Sequence, residues 1–188
     1  MDLKLLNKQQ FFLKSFQNIN IEISCEDEFW EEEFPNLEEI LTEISQEVFY
    51  KSNLLSSIKT SANIELSFVF TKNRAIQELN ENYRGQNIPT NVLSFPSESK
   101  TSLQDKLEKE DLLINDILLG DIVLASGVVR REAQNQTKPL FHHTSHLLVH
   151  GLLHLVGYDH VIERDAEIME SLEIEILNNL GIPNPYSV

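Results

Sequence analysis

The chain is 188 residues long, carries one cysteine (Cys25) and has a formal net charge of −15, with 30 acidic residues against 15 Lys and Arg. That length is one domain's worth of core, the lone cysteine excludes an internal disulfide, and no apolar run is long enough to cross a membrane. So acidic a chain cannot grip nucleic acid by general electrostatics, because neutralising phosphates is what supplies that affinity.

Residues 1–16 mix Lys, Gln and Asn into an apolar background, which is neither a membrane span nor a signal peptide; a cytoplasmic protein with no membrane partner is expected. Residues 20–24 alternate isoleucines with polar residues and predict a first strand. The densest acidic block, Glu26-Asp27-Glu28-Phe29-Trp30-Glu31-Glu32-Glu33, reads as a solvated surface or loop with no chemistry of its own. From residue 35 to about 55, Leu37, Ile40, Leu41, Ile44 and Val48 recur at helical spacing and predict a long amphipathic helix. Residues 61–70 are strand-like and end in Phe68-Val69-Phe70. Thr71 is placed to cap a helix that runs through Ile76 and Leu79 to Tyr83, and Gly85 to end it.

Residues 90–95 predict a short strand closed by Pro96. Residues 97–115 are polar, with too few apolar side chains to bury, and read as a long excursion with a helical turn around 103–107. Residues 118–125 predict a firm strand, and Ser126 is placed to cap the helix that carries Arg130 and Arg131. A histidine-rich helix begins near Pro139, a residue favoured in first turns, with His142 and His143 just inside it. A last helix over residues 162–180, closed by Gly181 and Pro183, is expected to turn Ile168, Leu172, Ile176 and Leu180 inward. The mixture predicts an α+β fold: one domain over residues 1–188, with a small mixed β-sheet, surrounding helices and no internal repeats. Nucleic-acid contact would have to come from a local patch, for which Lys72, Arg74, Arg84, Arg130, Arg131 and Lys138 are the candidates.

The chemistry is concentrated in residues 146–160. His150 and His154 are four apart, which on a helix is about 6 Å of rise and about 40° of offset, so both imidazoles leave one face. The other flanks are apolar (Leu147, Leu148, Val149, Leu152, Leu153, Leu155), so the helix is a buried one. Gly157 can end it in the left-handed conformation, and the reversal can return His160 towards the first two rings. Three nitrogen donors with a fourth position open is the donor set of a catalytic zinc, and burying three imidazoles without a shared partner is costly. His146 extends the row by another turn, first as a residue behind the ligands or facing substrate and second as a further ligand; Asp159 and Asp121 are candidates to hold ligating imidazoles, and Asp159 is equally placed to cap the next helix. The spacing His-x3-His-x2-Gly-x2-His is that of the metzincin protease signature with one change: Gly151 stands where those enzymes have their glutamate base.

Leu79-Asn80-Glu81-Asn82-Tyr83-Arg84-Gly85, Pro89-Thr90-Asn91-Val92-Leu93-Ser94-Phe95-Pro96, Leu119-Gly120-Asp121-Ile122 and then His150-Gly151-Leu152-Leu153-His154-Leu155-Val156-Gly157-Tyr158-Asp159-His160 stand in the order found in the YbeY family. The chain resembles that family of bacterial endoribonucleases and ribosomal RNA maturation factors over about residues 66–180; the acidic block lies outside the family's pattern, and the 97–115 stretch is longer than usual for it. The resemblance implies a mixed sheet with helices around it and one Zn2+ on His150, His154 and His160. It also implies a functional arginine at Arg84, single-stranded ribosomal RNA as substrate, and the small ribosomal subunit with its proteins as partners. The implied activity is zinc-dependent endoribonuclease cleavage in small-subunit rRNA 3′-end maturation and ribosome quality control. Two other readings stay open: a zinc metallopeptidase-like hydrolase, which needs a carboxylate by the metal, and a non-catalytic ribosome-assembly factor with a structural zinc. No general base is evident in the sequence.

Overall fold

A computed structural model describes residues 19–52, 54, 63–99, 101–103 and 116–187. Alternating β-branched and aromatic residues give four strands: β1 (Ile19–Cys25), β2 (Asn63–Thr71), β3 (Val92–Pro96) and β4 (Asp116–Ala125). They lie in the order β1-β2-β4-β3, with β1, β2 and β4 parallel and β3 antiparallel to β4, the mixed sheet that the sequence predicts. The helices are α1 (Glu28–Glu33), α2 (Leu37–Lys51), α3 (Asn73–Arg84), α4 (Ser126–Asn135), α5 (Leu140–Leu155) and α6 (Glu163–Asn179). Among the described residues no helix is long and apolar enough to cross a membrane.

Each face of the sheet has its own apolar layer. Ile64, Leu66, Phe68 and Phe70 of β2 and Ile117, Leu119, Ile122 and Leu124 of β4 meet α2, α5 and α6 on one side. Leu93, Val123 and Ala125 meet Ile76 of α3 and Val128 of α4 on the other. The first layer uses odd positions of β4 up to Leu119 and even ones from Ile122, and the switch occurs at a register shift where Glu65 faces Leu118 and Leu66 faces Gly120. The extra residue of this bulge keeps both halves of β4 facing one core. Gly120 is required there: its φ is +129°, and a Cβ would lie 2.1 Å from the Phe95 carbonyl oxygen.

α5 runs across that first layer with most of its side chains buried, while His146, His150 and His154 form a half-exposed row. It ends in a Schellman turn: the Tyr158 N–H donates to the Leu153 carbonyl at 2.9 Å, the Gly157 N–H to the His154 carbonyl at 3.0 Å, and Gly157 takes φ +92°.

Four local expectations are corrected. The acidic block is a solvated surface for Glu26, Glu28, Glu31, Glu32 and Glu33 but not a loop, because Trp30 within α1 is fully buried against Phe70 and its indole N–H donates to the Thr71 carbonyl at 3.4 Å. Neither Thr71 nor Ser126 caps a helix, since Thr71 Oγ1 donates to Glu26 at 2.5 Å and Ser126 Oγ to Asp27 at 2.6 Å; the first turn of α4 is capped instead by Asn73 Oδ1, which accepts from the Val128 N–H at 3.1 Å. Ile168 is 47% exposed; the buried stripe of α6 is Met169, Glu173, Ile176 and Leu177, one position on, with Leu172 and Leu180 at its margin. Residues 97–115 do bury an apolar side chain, Leu103, at the end of the helical residues 101–103; the rest of the expected turn lies outside the described residues.

Candidate metal centre

α5 and its terminal turn bring together the three histidines selected by spacing. Ring centroids are 4.7 Å apart for His150 and His154, 5.3 Å for His150 and His160, and 5.0 Å for His154 and His160. One nitrogen from each lies within 4.8 Å of the others, so the three could hold a metal ion. A tetrahedral ion with nitrogen bonds of about 2.0–2.1 Å keeps its ligand atoms about 3.3 Å apart. The Nε2 atoms of His150 and His154 face each other at 3.2 Å, which meets that requirement.

The protonation pattern also suits a metal. His150 Nδ1 lies 2.8 Å from Glu173 Oε1 on α6. An ionised carboxylate only accepts, so the His150 proton sits on Nδ1 and the Nε2 lone pair faces the site. Burial, then the neighbouring His150 and His160, lower His154 to about 4, so this ring is neutral near pH 7. His146 stands outside the cluster of three: its Nε2 donates to Glu173 Oε2 at 3.0 Å, which places it beside the group that holds His150. Tyr186 donates to the same oxygen. Burial pushes the Glu173 carboxyl up, but the hydrogen bonds from His146, His150 and Tyr186 outweigh it and hold the group at about 2.

Asp159 Oδ1 stands 3.9 Å from His154 Nδ1, beyond a hydrogen bond, and accepts from the His160 N–H at 2.8 Å; this fixes the returning loop and does not cap α6, whose first turn follows Ile162. Asp121 is engaged elsewhere, by Ser67 Oγ across the sheet. His143 is buried in the first turn of α5 and pairs with Glu132 at 2.9 Å, which Asn91 Nδ2 also reaches at 2.9 Å; this cluster ties α5, α4 and the start of β3.

Arg84 is the exposed last residue of α3, followed by Gly85 at φ +69° as the sequence predicts. It has no hydrogen-bond or ion-pair partner among the described residues. The end of α3 is nonetheless fastened: Asn80, 2% exposed, donates to the Ile88 carbonyl at 2.8 Å, and the Tyr83 ring meets Phe95 of β3 at 4.9 Å. Of the other candidate cations, Arg74 pairs with Glu78 and Lys138 donates to the Pro185 carbonyl.

Gly151 carries a structural reason for the missing glutamate. A Cβ there would lie 3.1 Å from both Ile122 Cγ2 and Ser94 Oγ, so this position presses α5 onto β3 and β4 and points at the sheet, away from the histidine row. Gly151→Glu is expected to cost about 1–3 kcal/mol of stability through overpacking and to confer no peptidase activity. Chemical denaturation beside a casein digestion assay checks both.

Glu173 and Tyr186 are the site residues that sequence reasoning missed. The signal for Glu173 was present: it is a glutamate on the Met169, Ile176 and Leu177 stripe, at positions four, seven and eight residues along one face. No comparable signal marked Tyr186.

A family model described as Endoribonuclease YbeY matches residues 23–181. Three relatives, each named Endoribonuclease YbeY, are similar. One from Rhodopseudomonas palustris is 50% identical over 127 residues, 68% of this chain and 71% of its own. One from a Bradyrhizobium species is 41% identical over 146 residues, 76% and 83% of the two chains. A third, from Bradyrhizobium diazoefficiens, is 48% identical over 128 residues, 67% and 66% of the two chains. Matched by the family model across its sheet, its histidine helix and its Arg84 segment, the chain belongs to the YbeY endoribonuclease family.

Proposed function

We propose that this protein is a zinc-dependent, single-strand-specific endoribonuclease that matures ribosomal RNA. It acts at the 3′ end of the small-subunit rRNA and in ribosome quality control, in the cytoplasm, with the small subunit and its proteins as partners. The observation that carries this reading is the convergence of His150, His154 and His160, with the His150 tautomer set by a buried carboxylate. The name shared by the relatives points to RNA as the substrate. A zinc ion on the three imidazoles supplies a Lewis acid for a phosphoryl oxygen and brings the pKa of a water towards neutrality.

The chain's own residues supply the rest. His150, His154 and His160 would hold the ion, the first two through the Nε2 atoms that face each other, while Glu173 keeps His150 in the required tautomer and Asp159 holds the loop that returns His160. Arg84 offers a planar, two-pronged donor, with no acidic partner among the described residues, for a phosphate whose charge grows in the transition state. The net charge of −15 makes binding to bare RNA weak, so the ribosome is the setting that presents the substrate. A zinc peptidase is disfavoured by Gly151, which supplies no carboxylate base and whose Cβ position faces Ile122 and Ser94 of the sheet.

Arg84→Ala is expected to keep its metal and its fold and to lose RNA cleavage by about 100-fold or more. Metal analysis beside digestion of a single-stranded RNA checks this, and loss of metal from that variant would show that Arg84 has another role.

A further inference from the structure

Glu173 is held by one more group than a ligand's partner requires, and that group comes from the end of the chain. After α6 the backbone turns at Gly181 (φ +74°) and is pinned by the buried Ile182 and Pro185 and by Lys138 Nζ, which donates to the Pro185 carbonyl at 2.5 Å. This sets the Tyr186 hydroxyl on Glu173 Oε2, the oxygen that His146 also uses, and stands the phenol edge-on to the His146 ring at 5.4 Å. Tyr186 lies beyond residues 23–181, the stretch that matches the family model.

We propose that Tyr186 is a positioning residue for the metal centre: its hydroxyl fixes the twist of the Glu173 carboxylate, and through Glu173 the orientation of His150. The inference rests on the reading of His150, His154 and His160 as metal ligands. The terminal torsion of a glutamate is broad and is set by what bonds to its oxygens. Donors on both oxygens, His150 on Oε1 and His146 with Tyr186 on Oε2, leave one twist that serves all three. Removing the hydroxyl frees one lone pair of a carboxylate that is 1% exposed, and its hold on His150 loosens.

Tyr186→Phe tests this in the full-length protein, because the ring that packs on His146 stays and only the hydroxyl goes. Zinc affinity is read by competition with a chromophoric chelator, and the ligand field by the visible spectrum of the cobalt(II)-loaded protein. The expected result is a zinc dissociation constant raised about three- to tenfold, less than the 10–100-fold typical of a residue that touches a ligand directly, with a shifted cobalt band; the metal-free protein melts slightly lower, because Glu173 has lost one donor. Unchanged or tighter zinc binding with an unchanged cobalt spectrum overturns the proposal, as does an effect confined to the melting of the metal-free protein. His154→Ala run in parallel separates the two levels. If it keeps the ion, the ligand reading is wrong and the inference falls with it; if it loses the ion while Tyr186→Phe binds like wild type, only the role of Tyr186 fails.

Discussion

His154→Ala is expected to abolish metal binding and to reduce RNA cleavage by about a thousandfold or more, the largest single effect at this site. His154 stands between the other two rings, 3.2 Å from His150 by Nε2 and 5.0 Å from His160 between centroids. Without it, two imidazoles remain, one on α5 and one on the returning loop, too few to hold an ion at the affinity of three. The fold survives, because the residue is only partly buried on a helix and alanine is the best helix former. A pH signature accompanies the loss in the metal-free protein. The folded state lowers His154 from 6.5 to about 4, so the unfolded chain takes up its proton first, and this residue costs the metal-free wild type stability as pH falls from 6.5 towards 4. The variant is therefore expected to lose less stability over that window. Metal content, RNA digestion and denaturation at pH 7 and pH 5 on both proteins check all three. A variant that cleaves RNA normally without metal would remove the metal from the mechanism.

The clustering of the three histidines was legible in the sequence, because they are local: two one turn apart and a third returned by a Schellman glycine lie within eleven residues. The fold class was legible for a similar reason, since burial alternates along β1 and β2 as their apolar residues do. What escaped depends on where distant segments meet. Thr71 and Ser126 look like helix caps until Glu26 and Asp27, 45 and 99 residues away, take their hydroxyls. The acidic block looks solvated throughout until its one tryptophan finds Phe70. Ile168 and Met169 are both apolar, and only the packing of α6 on α5 decides which turns inward. The partner of His150 stands 23 residues on, on another helix, where nothing in the spacing of the histidines marks it, and the sequence offered Asp159 and Asp121 instead.

Glu173→Gln is expected to weaken zinc binding by about 10–100-fold while leaving the chain folded at neutral pH. Three donors converge on this carboxylate: the Nδ1–H of His150, the Nε2–H of His146 and the hydroxyl of Tyr186. An amide has one accepting oxygen, so its NH2 must meet at least one group that already donates. If it meets His150, the ring is satisfied only by moving its own proton to Nε2, onto the atom that faces the metal. If it meets His146 and Tyr186, His150 keeps an acceptor but a neutral one, weaker than a carboxylate. The acid-side stability of the metal-free protein gives a second readout. Glu173 sits at about 2 in the folded chain against an ordinary 4.5, so its contribution is complete above pH 4.5 and is lost as pH falls from there towards 2. That contribution is on the order of 3 kcal/mol, and the glutamine variant, with nothing to titrate, lacks this part of the acid slope. Chelator competition for zinc and denaturation between pH 7 and pH 3 measure the two effects. A variant with wild-type zinc affinity and a wild-type acid slope would mean that the buried carboxylate only fills space between α5 and α6.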